Sequence, residues 1–373
     1  MTSGNYNYVR DGANRALNNL VGWLLDKGAA VRVYSPVVEH PAFEPTGDLV
    51  GVASMPVPLR PEYRIPLGLG IARADLDHFR PNIVHVSAPE ILGHSAVRYA
   101  KAHDLPVIAS VHTRIETYLR YYGLGLLEPA GVAIQRRFYR KCDAIVAPSE
   151  SMAAVLRTEH MNDDVGIWSR GIDRNVFNPE RRSLPWRQSL GIADDDFVIA
   201  FFGRIVLEKG IDVFGEVIVE LKRRGVAHKV LVIGDGPARD AFAEQIPDAI
   251  FAGHQVGTDL GRAIASADLL LQPSVTETFG NVTSEAMACA LPVVGADATG
   301  TSSLVKDGVT GALVGPRDIT AYADAIQHYA TNRAAARAAG GAGASVADGY
   351  TWDAVNGTLA AKYLDVIARR GAI

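Results

Sequence analysis

Short apolar runs alternate with helical patterns from one end of the chain to the other. In the first half these runs are rich in β-branched residues and lie at residues 31–34, 83–86, 107–111 and 144–147. Apolar residues at helical spacing fill the segments between them, as at residues 13–27 and 92–103. Because apolar strands separated by helices are typical of βαβ units, the pattern predicts a parallel sheet with helices on both faces.

The same alternation restarts in the second half of the chain. Its apolar runs lie at residues 198–202, 230–233, 249–251, 269–272 and 292–295. Between the two sets, residues 171–190 are polar and hold Pro179, Pro185 and several arginines, which is typical of a linker. We therefore predict an α/β protein of two doubly wound domains, residues 1–172 and 173–350, that face each other across a cleft. Ligands of such sheets bind beyond the carboxyl ends of the strands.

The last part of the chain has two helical patterns of different character. Within residues 351–373, apolar residues at helical spacing predict a helix that packs back across the domains; they are Val355, Leu359, Tyr363 and Ile367. The Ala/Gly-rich stretch at residues 334–347 predicts a loosely packed surface helix followed by a loop.

Composition and charge exclude several classes of protein. The 373 residues carry a net charge of −4, without the basic excess of a nucleic-acid-binding protein, so we predict no nucleic-acid partner. The two cysteines, Cys142 and Cys289, lie far apart, which indicates neither a disulfide framework nor a cysteine metal site and fits a reducing cytoplasm. No apolar run has the length of a membrane-spanning helix, and the first residues do not have the pattern of a signal peptide.

The segment Glu277-Thr-Phe-Gly-Asn-Val-Thr-Ser-Glu285 stands between a predicted strand and a predicted helix. Gly280 and Asn281 are residue types that favour a helix start. A helix beginning there presents free N–H groups and a positive dipole end, which suits a diphosphate. The two carboxylates can then flank one ligand and accept hydrogen bonds from sugar hydroxyls. The alternative is a solvated loop acid and an acid on a helix surface.

Two further loops follow predicted strands of the second domain. Gly203-Arg204-Ile-Val-Leu-Glu-Lys209-Gly210 carries two cations five residues apart, which can neutralise a diphosphate without a metal, or can be surface charges on a turn. Val232-Ile-Gly234-Asp-Gly236 lacks the third glycine of a dinucleotide fingerprint and is interpreted as a tight turn near a nucleotide. The loop at residues 253–256, which ends with Val256, is a candidate neighbour of the base.

In this order the three loops resemble the C-terminal domain of GT-B glycosyltransferases of family 4. The pattern of that family runs G-R-x4-K, then G-x-G, then E-F/T-F-G-x4-E, and the resemblance covers essentially the whole chain. It implies the GT-B fold of two Rossmann-like domains. It implies that Arg204 and Lys209 bind the diphosphate of a nucleotide-sugar donor, Glu285 the ribose and Glu277 the sugar. The other donor-binding residues expected in this domain are Gly203, Gly234, Val256, Phe279, Gly280, Asn281 and Val282.

The first domain has candidate residues in two places, directly after an apolar run and at the start of the chain. His112 directly follows residues 107–111, and the resemblance implies that its backbone or ring binds a donor sugar hydroxyl. The alternative, a satisfied core histidine, describes His85 better. The stretch from Gly4 to Gly12 resembles the first ligand loop of the family. The central strand that precedes this loop in the family is absent, which predicts a hole in the core and suggests a late start site or a trimmed chain.

From Arg114 to Lys141, six Lys or Arg residues mix with aromatic and apolar residues and only two acids. The pattern suits a surface lying on anionic lipid as well as a basic helix packed over the domain. Together with Trp168-Ser-Arg170-Gly171-Ile-Asp173, it looks most like the sulfoquinovosyl- and mannosyl-diacylglycerol transferase branch. That likeness implies GDP-mannose or a UDP-hexose as donor, Arg170 among the donor-binding residues, a lipid or glycan acceptor, and a cytoplasmic protein peripheral to the inner face of the membrane.

The resemblance to family 4 implies transfer with retention of anomeric configuration and without metal or other cofactor. No second carboxylate is placed as a nucleophile, so the expected route is a front-face substitution in which the departing diphosphate takes the acceptor proton. Asp194-Asp195-Asp196 is interpreted as a solvated turn, not a metal motif. A nucleotide-sugar epimerase and a non-catalytic nucleotide-sugar-binding protein are the alternatives; a Rossmann dehydrogenase lacks its glycine fingerprint.

Overall fold

Two compact units divide the chain in the computed structural model, which describes residues 1–9, 11–57, 60–112 and 125–371. Unit 1 comprises Met1–Gly171 with Trp352–Ile373, and unit 2 comprises Ile172–Thr351. The strands are β1 (Arg32–Ser35), β2 (Asp48–Gly51), β3 (Ser54–Val57), β4 (Arg60–Pro66), β5 (Val84–Val86), β6 (Val107–Ser110), β7 (Ala144–Ala147), β8 (Val165–Ile167), β9 (Val198–Phe202), β10 (Lys229–Ile233), β11 (Ile250–Gly253), β12 (Leu269–Gln272), β13 (Val293–Ala296) and β14 (Gly311–Val314). The α-helices are α1 (Gly12–Asp26), α2 (Arg73–Phe79), α3 (Ile91–Ala102), α4 (Glu128–Tyr139), α5 (Glu150–Thr158), α6 (Leu184–Ser189), α7 (Ile211–Arg223), α8 (Arg239–Gln245), α9 (Gly257–Ala265), α10 (Asn281–Ala288), α11 (Thr301–Leu304), α12 (Ile319–Thr331), α13 (Arg333–Ala347) and α14 (Trp352–Arg370).

Unit 2 is built on a six-stranded sheet with the order β11-β10-β9-β12-β13-β14, and all its pairings are parallel. Both faces are buried. Along β9, Ile199 and Phe201 enter one apolar core, while Val198 and Phe202 enter the other. The sheet is doubly wound, as the apolar runs predict, and the predicted α/β class is confirmed. Its order reverses between β9 and β12, so their carboxyl ends form the switch point at which such sheets bind ligands.

Unit 1 contains a parallel four-stranded sheet, β5-β6-β7-β8, and a parallel pair, β1-β2. Thr2 makes parallel bridges to Tyr34 of β1 and to Val86 of β5. The backbone N–H of Thr2 donates to the carbonyl of His85, and that of Ser3 donates to Tyr34. The antiparallel hairpin β3-β4 was not expected from the alternation, because its apolar residues are few.

A cavity of about 370 Å³ lies beside Thr2. Its lining is largely apolar and includes Leu76, Val84 and Ile367. The amino group of Met1 donates to the carbonyl of Arg32 within the same region, and burial lowers the pKa of that amine to about 5.

The C-terminal helix α14 belongs to unit 1. Leu359, Tyr363 and Val366 of this helix join the core that α1 and the strands β6 and β7 form on one face of the sheet. Lys362 and Arg369 form ion pairs with Asp164, next to β8. The apolar residues predicted at helical spacing within residues 351–373 therefore form the face of α14 that packs on unit 1.

The interpretation of residues 171–190 as a linker is wrong. From Ile172 onward the segment packs into unit 2, and the side chain of Arg187 is fully buried. Its guanidinium donates to Asp268 and to the backbone carbonyls of Ser266, Ala193 and Asp196. The sequence suggests solvated arginines in this segment, whereas the guanidinium of Arg187 binds carbonyl oxygens of two loops. Local composition does not reveal such a tertiary contact.

The expectation of a loose surface helix and a loop at residues 334–347 is also wrong. The segment lies within the continuous helix α13, which packs closely on the end of α10 through its small residues. A Cβ on Gly340 would lie 1.9 Å from the carbonyl oxygen of Ala290, whereas a Cβ on Gly341 would meet nothing within 4 Å. The glycines that suggested a loosely packed helix and a loop instead allow one face of α13 to approach its neighbour.

Two adjacent glycines of α13 therefore predict opposite effects on stability. Gly340→Ala should lower the free energy of unfolding by about 1–3 kcal/mol, because the methyl group overlaps a backbone carbonyl. Gly341→Ala should raise it by roughly 0.5–1 kcal/mol, because alanine loses less backbone entropy in a helix. Urea unfolding of both variants measures the two changes. Equal effects of one sign would contradict the packing of this helix.

Candidate active site

Two glycine loops meet at the carboxyl ends of β9 and β10. Gly203 and Gly234 have φ of 135° and 142°, and a Cβ on Gly234 would lie 1.9 Å from the carbonyl oxygen of Gly203. The N–H of Gly203 donates to Ile233, and that of Gly234 donates to Gly253 at the end of β11. A side chain at Gly234 would separate the two loops, and the positive φ of both residues favours glycine, so glycine keeps the backbone of three strand ends together.

The loops after β9 and β12 are joined across the switch point by an ion pair. Nζ of Lys209 lies 2.5 Å from Oε1 of Glu277. The hydroxyls of Ser274 and Thr276 both donate to the carbonyl of Glu208, which holds the two loops together. Glu277 and Lys209 are largely enclosed, with 12% and 27% of their side chains exposed. The structure thus brings two predicted catalytic residues into contact, although they are far apart in the sequence.

Helix α10 begins directly after this loop. Gly280 is its N-cap residue with φ of 95°, in the left-handed region that favours glycine, and it has no side chain to cap the first turn. Asn281 is the first residue of the helix, and Glu285 lies one turn further on. The uncapped N–H groups and the positive end of the helix dipole make this an anion-binding position. Gly203 lies against it, since a Cβ there would be 3.7 Å from Val282.

The remaining donor-binding candidates of unit 2 differ in exposure. Arg204 is exposed, and no ion pair of its guanidinium is found among the described side chains. Val256 is 58% exposed and precedes α9. Phe279 is 4% exposed and packs edge-on against Tyr350, so its ring belongs to the core of unit 2, and contact of its backbone with a donor stays a prediction.

His112 of unit 1 ends a chain of hydrogen bonds. Its Nδ1 lies 2.7 Å from Nη2 of Arg170, and its Nε2 lies 2.9 Å from Oγ of Ser110. The same hydroxyl contacts Nε2 of His85 at 2.9 Å, and Nδ1 of His85 contacts the hydroxyl of Tyr363 at 2.5 Å. The interpretation of His85 as a satisfied core histidine is therefore confirmed.

The direction of this chain follows from chemistry, because a guanidinium only donates hydrogen bonds. His112 accepts at Nδ1 and, as a neutral ring, donates from Nε2 to Ser110. Ser110 then donates to His85, which donates from Nδ1 to Tyr363. Burial lowers the pKa of His85 to about 3, and burial and Arg170 hold the pKa of His112 well below its ordinary value. Both ring nitrogens of His112 are thus engaged within unit 1, and contact of this residue with a donor sugar stays a prediction.

Arg170 is 6% exposed and supports His112 from within unit 1. It also donates to the carbonyls of Trp168 and Ser169, and burial lowers its pKa to about 10. Gly12 is the first residue of α1, and Gly4 lies against the carboxyl group of Glu90. Direct contact of Arg170, Gly4 or Gly12 with a donor stays a prediction.

Several candidate residues lie outside the described parts of the chain. They are Arg10 of the first loop and residues 113–124 of the basic and aromatic segment. Among the residues that are described, no group of three His, Cys, Asp or Glu side chains could hold a metal ion. No α-helix in those same ranges is long and apolar enough to cross a membrane.

Sequence reasoning passed over two residues near the site. Gly300 follows β13 with φ of 87°, and a Cβ there would lie 2.6 Å from the carbonyl oxygen of Glu277. Glu90 follows β5 and precedes α3, in the same kind of loop that drew attention to Glu277. Both residues lie in loops that follow the carboxyl ends of parallel strands, and this position can be recognised from the sequence pattern alone.

Fold and site together define a GT-B glycosyltransferase, with two Rossmann-like units and an anion-binding helix start at the switch point of the second. The similarity to solved structures agrees: sucrose-phosphate synthase from Thermosynechococcus elongatus aligns with a TM-score of 0.80 at 20% identity, over 99% of this chain and 98% of that one. At that identity the match concerns the fold alone.

The sequence matches are more specific. Residues 10–176 match the family described as Glycosyltransferase Family 4, and residues 196–332 match the family described as Glycosyl transferases group 1. A GDP-mannose-dependent alpha-mannosyltransferase from Corynebacterium glutamicum is 30% identical over 86% of this chain and 76% of its own. Sulfoquinovosyl transferase SQD2 from Arabidopsis thaliana is 28% identical over 93% and 69%. The chain belongs to glycosyltransferase family 4, as its motifs predict.

Proposed function

We propose that the protein transfers a hexose from GDP-mannose or a UDP-hexose to a hydroxyl of a lipid or glycan acceptor, with retention of configuration and without a metal. The observation that carries this proposal is the Lys209–Glu277 pair at the switch point of unit 2, beside the uncapped start of α10. Cation, carboxylate and free N–H groups there suit the diphosphate and the sugar of one donor molecule.

Each group has a distinct task in this proposal. Arg204, Lys209 and the N–H groups of α10 stabilise the charge that grows on the diphosphate as the sugar leaves. Glu277 accepts hydrogen bonds from sugar hydroxyls and holds Lys209 in place. Glu285, one turn into α10, accepts from the ribose hydroxyls. No carboxylate is assigned as nucleophile, so the acceptor oxygen bonds to the anomeric carbon on the face that the diphosphate leaves, and its proton passes to a diphosphate oxygen.

The name of the corynebacterial relative supports GDP-mannose as the donor, whereas the name of the plant relative supports a different hexose. The two relatives have similar sequence identity to this chain, so GDP and UDP both belong in the first experiment. Neither name specifies the acceptor of this protein.

Thermal shift with GDP, UDP and ADP, and with their hexose conjugates, tests the donor. We expect one nucleotide diphosphate to raise the melting temperature, because ligand binding to the folded state adds stability by mass action. Lys209→Ala and Arg204→Ala should each weaken that nucleotide by about tenfold to a hundredfold, the usual effect of removing a charged hydrogen bond. Lys306→Ala, on an exposed turn of the same unit, serves as the control.

Turnover assays with the nucleotide-sugar so found then test the reaction. Product with unchanged anomeric configuration, formed in the presence of a chelator, is the expected result. Conversion of the donor with no acceptor present would indicate an epimerase instead, and binding without turnover over a wide acceptor panel would indicate a non-catalytic protein.

Peripheral contact with an anionic membrane is part of the proposal and rests on the surface of α4. Leu126 is 97% exposed and Ile134 is 66% exposed. Arg137 and Lys141 follow at helical spacing and are also exposed. Leu126 lies in the 3₁₀ turn before α4 and Lys141 just after the helix, so exposed apolar residues precede exposed basic ones along this segment. Such a surface suits insertion between lipid headgroups.

Vesicle binding of a charge-introducing variant tests this surface. The double substitution Leu126→Glu and Ile134→Glu should lower partitioning onto phosphatidylglycerol vesicles by at least about tenfold, because buried CH₂ groups and electrostatic attraction are both lost. Val219→Glu, which alters an exposed apolar residue of unit 2, should leave it unchanged. Equal binding by both variants, or none by the native protein, would rule out this surface.

A further inference from the structure

A second cavity of unit 1, of about 250 Å³, lies between the first loop and the start of α3. Its lining holds a larger share of polar side chains than that of the apolar cavity beside Thr2. Tyr8, Ser87 and His112 contribute to it, together with the carboxyl group of Glu90 and the guanidinium of Arg64. A cavity of this size, with hydroxyl, carboxyl and imidazole groups in its walls, suits a polyhydroxylated ligand.

Glu90 is turned away from its own helix. It is the N-cap residue of α3, with extended backbone, yet its side chain makes no capping hydrogen bond. An acidic N-cap side chain ordinarily accepts from the second or third N–H of the helix. Here the carboxyl oxygens instead lie against Gly4, where a Cβ would be 2.2 Å from Oε2 and 2.4 Å from Oε1. The absence of a side chain at Gly4 gives the carboxyl group its place in the cavity wall.

No cation neutralises Glu90 within the described residues. Arg64, the guanidinium in the same lining, donates from Nε to the hydroxyl of Ser54 at 2.7 Å and from Nη2 to the carbonyl of Ser54 at 3.2 Å. The hydroxyl of Tyr8 donates to the carbonyl of Gly4. Burial raises the pKa of Glu90 to about 7. Above that pH the carboxyl group is ionised, and a carboxylate that faces a cavity without a partner cation accepts hydrogen bonds from hydroxyls and repels a phosphate.

We propose that Glu90 makes this cavity selective for the hydroxyl of an uncharged polyol acceptor and against the same polyol carrying a phosphate. The inference rests on the proposed function and names the class of acceptor. An acceptor hydroxyl donates to the carboxyl group of Glu90, while the position of that carboxyl group depends on Gly4. Glu90 is thus a specificity-determining residue of the acceptor, distinct from the donor-binding groups of unit 2.

Binding measurements with matched pairs of probes test the selectivity. The pairs are octyl α-D-mannoside and myo-inositol, each against its monophosphate. Saturation-transfer NMR measures their binding, and nucleotide release from the donor measures their use as acceptors. The native protein should bind at least one uncharged member at least about tenfold more tightly than its phosphate. Glu90→Gln, which keeps the shape and removes the charge, should reduce that preference by about tenfold or more. Glu150→Gln, an exposed acid of the same unit, should preserve it.

Gly4→Ala provides a second, independent test. The added methyl group displaces the Glu90 carboxyl group and should weaken the uncharged probe about as much as Glu90→Ala does. In the Glu90→Ala background the same methyl group enters vacated space, so Gly4→Ala should have little further effect. Additive effects, a preference of the native protein for the phosphorylated probes, or binding of neither member of any pair would overturn the inference.

The nucleotide thermal shift separates this inference from the proposed function. The Glu90 variants should keep the shift of the native protein, because the groups proposed to bind the nucleotide lie in unit 2. If the native protein shows no shift with any nucleotide, the proposed function fails. If the shift is present but selectivity does not depend on Glu90, only the acceptor inference fails.

Discussion

Replacing Glu277 with alanine is expected to lower kcat by about 10²–10³-fold while free nucleotide diphosphate still binds. Two losses add up in this variant. The sugar hydroxyls lose the carboxylate that orients them, and Lys209 loses the partner that holds its Nζ at 2.5 Å. A lysine free to move stabilises the leaving diphosphate less well, because its position is no longer fixed before the reaction. The effect should therefore appear in kcat more than in the KM of the donor.

A comparison of nucleotide with nucleotide-sugar makes the role of Glu277 specific. In the native protein the sugar conjugate should bind more tightly than the nucleotide alone, and in Glu277→Ala this difference should vanish. Glu244→Gln, an exposed acid on α8, is the control and should resemble the native protein. Retention of near-native turnover by Glu277→Ala would exclude the proposed site, even if the nucleotide bound normally.

Much of this site could be predicted from the sequence because its loops are local features. Each loop follows an apolar strand and contains glycine at a position where the structure has a positive φ, as at Gly203, Gly234 and Gly280. Strand, glycine and helix start lie within a dozen residues, so pattern and turn chemistry are enough to locate them. The contact between Lys209 and Glu277 follows once both loops are assigned to neighbouring strands.

The wrong predictions share a physical cause. Arg187 and the glycines of α13 were judged from local composition, but their environment is set by residues distant in the sequence. Arg187 is buried because Asp268 and backbone carbonyls receive its guanidinium, and Gly340 is packed because Ala290 approaches it. Neither contact can be inferred from the residues that are close in the sequence. The chain from Arg170 to Tyr363 is likewise assembled from four separate segments.

That buried chain predicts the largest effect of pH on stability. Burial lowers the pKa of His85 to about 3, whereas an unfolded histidine has a pKa of about 6.5. Between these values the unfolded state binds a proton that the folded state does not, so the free energy of unfolding falls as pH falls. The slope for one such histidine is up to about 1.4 kcal/mol per pH unit. His112 shifts in the same direction and adds to this slope.

Glu90 acts in the opposite sense over part of this range. Its pKa is raised to about 7 by burial, so the folded state holds its proton between that value and the ordinary one of 4.5. Its contribution to stability therefore grows as the pH falls, and it offsets about one histidine. Glu90 therefore makes the stability of the native protein depend less on pH in this range than the two histidines alone would.

His85→Gln isolates the contribution of the buried histidine. The variant should be less stable than the native protein at pH 7.5, because its amide does not reproduce both hydrogen bonds of the ring, to Ser110 and Tyr363. Its stability should nevertheless depend less on pH, with a slope smaller by about 1 kcal/mol per pH unit from pH 6.5 to pH 5. Urea unfolding at several pH values measures both quantities. His78→Gln, on the exposed face of α2, should keep the native slope, and the same slope in His85→Gln would show that His85 is not held neutral in the folded state.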